Sequence, residues 1–327
     1  MIKHTSSQVH EQARHLPVRA CMLAYLAATR SGRNPASQRL TTGRLLVFSD
    51  WCDLQDIGVE QVSARLVADF IEHLSATHKA RKRGETVMSS VTIAGYVQCI
   101  KSALLWASGD ELVYAEYVNE KVIKRIARPR LDEVIIETFT DTHIRALLAA
   151  CKAEENPKMV ARAKMAIHLL YSTGLRASEL TRLRLPDCHL EAGSAYLMIR
   201  QGKGRKDRRV PMSETTRRRL EDFMLTWRAD IPPASPVITS RDGTESFTVA
   251  GLQQLLKRLA RRAGISDMRV SPHNFRHTFS ANALRAGMDI YTLQRVLGHS
   301  STSITEHYIK SLGADFDLHD RAVRFMP

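Results

Sequence analysis

The sequence of 327 residues has few cysteines and no long apolar run, and each absence excludes a class of protein. No stretch approaches the roughly 18 uninterrupted apolar residues that a membrane span needs. The first residues lead into polar sequence rather than an apolar signal region. An odd number of cysteines without a close pair argues against a disulfide framework and a zinc site. We therefore predict a cytoplasmic protein without a membrane segment, whose cysteines are reduced core residues: Cys21, Cys52, Cys99, Cys151 and Cys188.

Positive charge is what the sequence has in excess. Lysine and arginine number 48 against 34 aspartate and glutamate residues, which gives a formal net charge of +14. Such an excess favours polyanions, because each basic side chain that neutralises a phosphate releases a counterion. Many basic proteins bind no nucleic acid specifically, so charge alone does not settle the partner.

The first part of the chain has a helical pattern. After a polar arm over 1–16, apolar residues over 17–120 recur at spacings of three and four, as in Leu45, Phe48 and Cys52. A basic loop interrupts this region, and a basic stretch over 121–137 follows it. We interpret that stretch as an extended linker, since Pro129 disfavours helix at the preceding residue. The candidate phosphate contacts in these segments are Lys79, Arg81, Lys82, Arg83, Lys124 and Arg125.

The second part mixes helices with one predicted hairpin. Thr140 is a plausible helix N-cap, and Gly174 closes an apolar helix that we expect to be buried. Residues 195–199 and 208–212 have strand character and flank a basic tip. The tip carries Lys203 and two further candidate DNA contacts, Arg205 and Lys206. One further helix is predicted to begin at Ser271-Pro272. Asp289 and Gly298 are predicted to bracket another, and a third is predicted to begin at Ser301 or Thr302.

Several residues in this second part suit metal-free phosphodiester transfer. That reaction needs a nucleophile, a proton for the leaving oxygen, and positive charge for the non-bridging phosphate oxygens. Arginine supplies such charge as a permanent planar fork of donors. Arg176 follows Thr-Gly-Leu. Arg276 lies three residues after His273, so His273 and Arg276 face the same side of a helix. His299 follows Leu-Gly, and Tyr308 lies nine residues beyond it.

Taken in order, these segments resemble the catalytic signature of the tyrosine recombinase family, which includes phage integrases and Xer proteins. The shared elements are an arginine box near Thr-Gly-Leu-Arg, a Gly-Lys-Gly hairpin, His-x-x-Arg, Leu-Gly-His and a following tyrosine. The likeness covers about residues 138–310, whereas 17–120 resembles the family's core-binding domain only in being helical and basic. Each motif is weak singly, but five in the family's order make a specific signal.

The resemblance implies a role for each matched residue. Tyr308 would attack the scissile phosphate and form a 3′-phosphotyrosine, while Arg176 and Arg276 grip the phosphate oxygens. Lys203 would protonate the leaving 5′ oxygen, and His273 would act as acid–base partner or as a hydrogen-bond donor to the phosphate. The resemblance further implies that His299 hydrogen-bonds a phosphate oxygen and that Glu179 orients Arg176 or a histidine. No metal or nucleotide cofactor is required, and replacing either arginine should lower cleavage without unfolding the protein.

Each residue also has a structural interpretation. The arginines are compatible with solvated surface charges, and the histidines and Tyr308 are compatible with core positions. Lys203 could be one of several phosphate contacts, and Lys206 is the competing candidate for its role. Glu179 is equally suited to an ordinary ion pair with Arg182. Three other functions stay open: a type IB topoisomerase, a catalytically silent DNA-binding regulator and, more distantly, a metal-dependent nuclease.

The fold class we predict is mostly α with a small antiparallel sheet, arranged as a two-domain C-shaped DNA clamp. A helical core-binding domain over 17–120 would precede a mixed α/β catalytic domain over 138–310. A tail over 311–327 would follow and, by resemblance, dock on a neighbouring protomer; the alternative is that it folds back on its own domain. By resemblance, the partners are double-stranded DNA with paired half-sites and three further copies of the chain in a synaptic tetramer. The free protein would be a monomer, and an accessory directionality factor is compatible with the family.

Overall fold

The computed structural model describes residues 16–32, 35–77, 88–109, 114–130, 137–200, 207–228, 232, 234–240 and 245–298. The chain divides into two compact units, Met1–Glu133 and Val134–Pro327, each with its own apolar core. Within the described ranges, no helix combines the length and apolar character needed to cross a membrane. Most of the predicted N-terminal arm and the whole predicted tail lie outside these ranges.

The first unit is helical, as predicted. Its helices are α1 (Val18–Ala28), α2 (Pro35–Leu54), α3 (Ala64–Thr77), α4 (Ser90–Ala107) and α5 (Glu120–Lys124). The apolar face predicted on α2 is confirmed, because Leu45, Phe48 and Cys52 are fully buried. Phe48 packs edge-on against Phe70 of α3, with ring centroids 5.0 Å apart. These contacts place the core of the unit between the helices.

The extended conformation predicted for the start of the basic linker is wrong. Residues Glu120–Lys124 form α5, and the preceding Asn119 caps it with a side chain that accepts hydrogen bonds from the backbone of the first turn. Ile123 and Ile126 are buried in the first core. The Lys101 ammonium group donates to the Lys124 and Ile126 carbonyls at 3.0 and 2.7 Å. Apolar burial and capping therefore fix this segment, although Pro129 follows shortly.

The second unit is mostly helical around a small sheet, which confirms the predicted fold class. Its helices are α6 (Asp141–Ala150), α7 (Pro157–Thr173), α8 (Ala177–Arg182), α9 (Glu214–Trp227), α10 (Val249–Arg262), α11 (Pro272–Arg285) and α12 (Ile290–Leu297). Its strands are β1 (Cys188–His189), β2 (Tyr196–Ile199) and β3 (Arg208–Pro211). They are antiparallel in the order β1-β2-β3, with Leu197 opposite Val210. The hairpin β2–β3 was predicted, but β1 was not.

Two glycines end the helices that carry the site. Gly174 follows α7 with φ of 62°, and Gly298 follows α12 with φ of 65°, both in the left-handed region that favours glycine. A Cβ atom on Gly174 would also lie 2.5 Å from the Phe279 ring, so packing excludes a side chain there. The caps predicted at Thr140, Ser271 and Asp289 are confirmed by side-chain hydrogen bonds to the first turn of each helix.

The cysteines are all free. Cys21, Cys52 and Cys151 are buried, which confirms their prediction as core residues, whereas Cys99 and Cys188 are only partly buried. Burial raises the pKa of the Cys21 thiol to about 12. This thiol therefore stays protonated and behaves as a small apolar group.

Candidate active site

Arg276 is buried at the meeting point of three helices. Ser271 caps α11, which carries Arg276 one turn from its start. The residue is only 4% exposed, and its guanidinium group donates to the Gly174 carbonyl at 2.9 Å and to the Leu297 carbonyl at 2.7 Å. A buried charge needs such partners, and cations are favoured at the carbonyl ends of helices. The ends of α7 and α12 therefore hold Arg276 in place.

Arg176 lies at the start of α8 and is held from two sides. Its guanidinium group donates to the Glu179 carboxylate at 2.7 Å and to the Gly298 carbonyl at 2.9 Å. The other oxygen of that carboxylate accepts the backbone N–H of Arg176 at 2.9 Å. Glu179 thus both caps the start of α8 and orients the guanidinium group of Arg176. This geometry supports the interpretation of Glu179 as a partner of Arg176 rather than of Arg182.

Arg208 on β3 is a part of the site that sequence reasoning missed. Its guanidinium group makes two parallel hydrogen bonds to Glu179, at 2.9 and 2.7 Å, and its Nε atom donates to the Val296 carbonyl at 2.7 Å. The side chain is only 11% exposed. Strand alternation carries the signal that could have identified it, because Arg208 shares a face with fully buried Val210 while Arg209 is exposed.

The end of α12 brings these arginines together. The carbonyls of three consecutive residues, 296–298, accept hydrogen bonds from Arg208, Arg276 and Arg176 in that order. The last carbonyls of a helix have no partner within the helix and form the negative end of its dipole. Because adjacent carbonyls bind Arg276 and Arg176, the two guanidinium groups lie close to each other, although the residues are 100 positions apart in the sequence.

Glu179 is ionised in this environment. Burial alone would raise the pKa of its carboxyl group, but hydrogen bonds and charge from Arg208, followed by those from Arg176, lower it to about 2. With only 8% of its side chain exposed, the carboxylate is poorly screened by solvent. It therefore keeps its negative charge, and its hold on both arginines, throughout the neutral pH range.

His273 is the other candidate that the structure describes. It lies one turn before Arg276 on α11, and its ring centroid is 3.9 Å from that of His277, with the rings inclined at 68°. Partial burial, followed by the charges of Arg276 and Arg269, lowers the pKa of His273. The imidazole is therefore neutral at pH 7 and above, the state in which it can accept a proton.

The remaining predicted site residues divide into two groups. Lys124 forms an ion pair with Glu120 at 2.7 Å, and both side chains are largely exposed. Arg125 ends α5 and is exposed as well. The other predicted residues lie outside the described residues, and this set comprises Lys79, Arg81, Lys82, Arg83, Lys203, Arg205, Lys206, His299 and Tyr308.

In the part of the chain that the structure describes, no group of three or more histidine, cysteine, aspartate or glutamate side chains is placed to hold a metal ion. The site described above is instead built from arginine, with one carboxylate. Its chemistry suits binding of an oxyanion such as a phosphate.

Comparison with known proteins identifies the family. The family model of the phage integrase family matches residues 137–314, which is more than half of the chain. The chain belongs to the phage integrase family. The match includes α6 to α12 and the motif residues, and it confirms the resemblance to tyrosine recombinases found in the sequence.

A tyrosine recombinase is similar over part of this chain. The tyrosine recombinase XerA of Pyrococcus furiosus is 33% identical over 195 residues, which cover 60% of this chain and 64% of XerA. The matched segment thus spans less than two thirds of that relative.

Two solved structures share the fold. A site-specific recombinase XerH bound to a palindromic difH substrate, in a post-cleavage complex, has a TM-score of 0.69 at 16% identity and covers 99% of both chains. A lambda integrase tetramer bound to a Holliday junction has a TM-score of 0.67 at 14% identity and covers 90% of this chain and 78% of its own.

Proposed function

We propose that this protein is a site-specific DNA recombinase that cleaves and rejoins DNA strands through a 3′-phosphotyrosine at Tyr308. The observation that carries this proposal is the pairing of Arg176 and Arg276 on adjacent carbonyls at the end of α12. Two guanidinium groups held side by side form a site for the non-bridging oxygens of one phosphate. His299 directly follows Gly298, whose carbonyl binds Arg176, and Tyr308 lies nine residues beyond His299.

The arginines stabilise the transition state of cleavage. When a nucleophile attacks the scissile phosphate, negative charge grows on the non-bridging oxygens. Glu179 and the helix-end carbonyls hold the guanidinium groups of Arg176 and Arg276 in position before the substrate arrives. Preorganised donors of this kind stabilise the transition state without reorganising during the reaction. In the proposal His299 adds a further hydrogen bond to a phosphate oxygen.

The proton transfers are assigned to His273 and Lys203. The Tyr308 oxygen forms a bond to phosphorus, and the bond between phosphorus and the 5′ oxygen breaks. Neutral His273 accepts the tyrosine proton, and Lys203 gives a proton to the departing 5′ oxygen. The products are a 3′-phosphotyrosine and a free 5′ hydroxyl group. Because the covalent link conserves the energy of the phosphodiester, the 5′ hydroxyl of another strand can reverse the step and rejoin DNA.

The proposed assembly follows the family. Among the similar solved structures are XerH on a palindromic DNA substrate and lambda integrase as a tetramer on a Holliday junction. We propose double-stranded DNA with paired half-sites as the substrate here, with a monomer when free and a homo-tetramer in synapsis. Both the core-binding domain over 17–120 and the catalytic domain over 138–310 would contact the DNA. We further propose a cytoplasmic location, compatible with an accessory directionality factor.

The experiment that tests this function traps the covalent intermediate. Footprinting on DNA from the protein's own locus first identifies a protected site, which is then made as a nicked suicide substrate. We expect a denaturation-resistant protein–DNA adduct that forms equally in EDTA. Tyr308→Phe should bind the site normally and form no adduct, because it lacks only the attacking hydroxyl group.

Tyr291→Phe is the matched control, since this tyrosine is 69% exposed on α12 in the same unit. It should form the adduct at the rate of the unmodified protein. Adduct formation by Tyr308→Phe would contradict the proposed nucleophile. Loss of adduct on chelation, with recovery in magnesium, would contradict metal-free cleavage.

A further inference from the structure

Arg208 has no step in the reaction, yet it contacts both parts of the structure that hold the phosphate-binding arginines. It makes a bidentate ion pair with Glu179, which in turn binds Arg176. It also donates to the Val296 carbonyl, next to the carbonyls that bind Arg276 and Arg176. A single side chain on β3 therefore connects α8 with the end of α12.

The charges at this point explain why an arginine is needed. Glu179 is nearly fully buried and would carry an unfavourable charge with Arg176 as its only cationic partner. Arg208 supplies the second positive charge and occupies one position on each carboxylate oxygen. It leaves Arg176 bound to one carboxylate oxygen and to the Gly298 carbonyl, with 27% of the Arg176 side chain exposed. That exposed edge is available to a phosphate.

The contact with α12 has a second consequence. The Nε atom of Arg208 binds a carbonyl of the last helical turn, three residues before His299. The turn after α12 is fixed by the left-handed Gly298, where the aliphatic part of the Arg208 side chain lies 3.1 Å from a Cβ built on that glycine. Arg208 therefore packs against the point at which the chain leaves α12.

We propose that Arg208 is a positioning residue for cleavage, which fixes Arg176 through Glu179 and fixes the end of α12 through the Val296 carbonyl. The proposal rests on the proposed function, because its readout is the rate of adduct formation. Arg208 itself need not touch the DNA. Its removal should slow the chemical step far more than it weakens binding of the half-site.

The test compares variants in single-turnover cleavage of the suicide substrate at saturating protein. Arg208→Ala should reduce the cleavage rate constant on the order of 10-fold to 100-fold, by comparison with the loss of a preorganised donor, while the half-site Kd changes less than about threefold. Arg208→Lys should recover part of the rate, since lysine keeps the charge but not the two parallel hydrogen bonds. Arg209→Ala is the matched control on the same strand, because Arg209 is exposed and lies over the Tyr196 ring.

A double-mutant cycle shows whether Arg208 acts through Glu179. If it does, the cleavage rate constant of the Arg208→Ala, Glu179→Gln double variant should fall by a smaller factor than the product of the factors for the two single variants. A pH profile gives a second readout. Among the residues that the structure describes, the charged side chains paired with Glu179 are Arg176 on α8 and Arg208 on β3. Without Arg208 the carboxyl group should titrate at higher pH, so cleavage by Arg208→Ala should fall towards pH 5, and less so by Arg208→Lys.

The outcomes separate the two proposals. If the unmodified protein forms no adduct, the proposed function and the role of Arg208 both fail. If it forms the adduct and the Arg208 variants cleave at its rate, only the positioning role is overturned. Multiplicative losses with an unchanged pH profile would also overturn that role and leave Arg208 as a purely structural residue. Should Arg208→Ala not fold, Arg208→Lys and Arg208→Gln carry the same comparison.

Discussion

The two arginines proposed to bind the phosphate should differ in what they contribute to stability. The sequence suggests that either one can be replaced without unfolding the protein, but the structure distinguishes them. Arg276 is 4% exposed and binds two helix-end carbonyls. The Arg176 side chain is 27% exposed, so water can replace its bonds. We therefore predict that Arg276→Ala destabilises the second unit strongly and Arg176→Ala only slightly.

The contacts give the expected magnitude. A hydrogen bond from a charged group contributes about 1.5–3 kcal/mol, and a buried carbonyl left without a partner adds to the loss. Arg276→Ala removes two such bonds, so the free energy of unfolding should fall by about 3–5 kcal/mol. For Arg176→Ala we expect about 1 kcal/mol, because solvent reaches the vacated donor sites. Both variants should nonetheless lose cleavage on the order of 10²-fold or more.

Urea unfolding followed by tryptophan fluorescence measures the difference. The chain has three tryptophans, and only Trp227 lies in the second unit. In a Trp51→Phe, Trp106→Phe background, Trp227 reports on that unit alone. With a typical m-value of about 2 kcal/mol/M, Arg276→Ala should lower the midpoint by about 1.5–2.5 M. Arg276→Lys should lie between it and the unmodified protein.

Equal midpoints for Arg276→Ala and Arg176→Ala would refute this reasoning. A larger loss of unfolding free energy in Arg176→Ala than in Arg276→Ala would refute it as well, since Arg176 would then be the more stabilising residue of the two.

Three further predictions test other parts of the account. Lys203→Ala should cleave an ordinary phosphodiester poorly but be rescued by a 5′-bridging phosphorothiolate, whose sulfur leaves without a proton. If Lys206→Ala is the rescued variant instead, Lys206 and not Lys203 is the proton donor. Deleting 314–327 should leave a monomer that binds one half-site normally but binds paired half-sites without cooperativity, and unchanged cooperativity would contradict docking of the tail. Glu179 has a pKa lowered to about 2 from 4.5, so its ionised form stabilises the fold fully above pH 4.5 and progressively less as pH falls. The stability advantage over Glu179→Gln should therefore be constant above pH 4.5 and shrink towards pH 2, and a constant difference would exclude the ion pairs.

Local sequence signals were sufficient for much of the fold. Side-chain caps such as Thr140 and Ser271 act within one helical turn, so the residues that start these helices can be identified from the sequence. The same reasoning failed at α5, where attention to Pro129 outweighed the Asn119 cap and the buried spacing of Ile123 and Ile126. That helix forms because its apolar face packs on the first core, which depends on residues distant in the sequence.

The site was only partly predictable. Arg176 and Arg276 could be chosen because neighbouring motif residues mark them. Their convergence could not be foreseen, because the groups that join them are backbone carbonyls after α12, which have no side-chain signature. Arg208 was overlooked among several basic residues of the hairpin, and only its burial and its pairing with Glu179 set it apart.

The central claim is that Tyr308 becomes covalently joined to DNA, and peptide mapping of the trapped adduct tests it most directly. Trypsin cleavage after Arg295 and Lys310 releases a peptide over 296–310 whose only tyrosine is Tyr308. After nuclease treatment, fragmentation of this peptide should locate the nucleotide remnant on Tyr308, joined through a 3′ phosphate. A remnant on a serine, threonine or histidine of the same peptide, on another peptide, or joined through a 5′ phosphate would contradict the account.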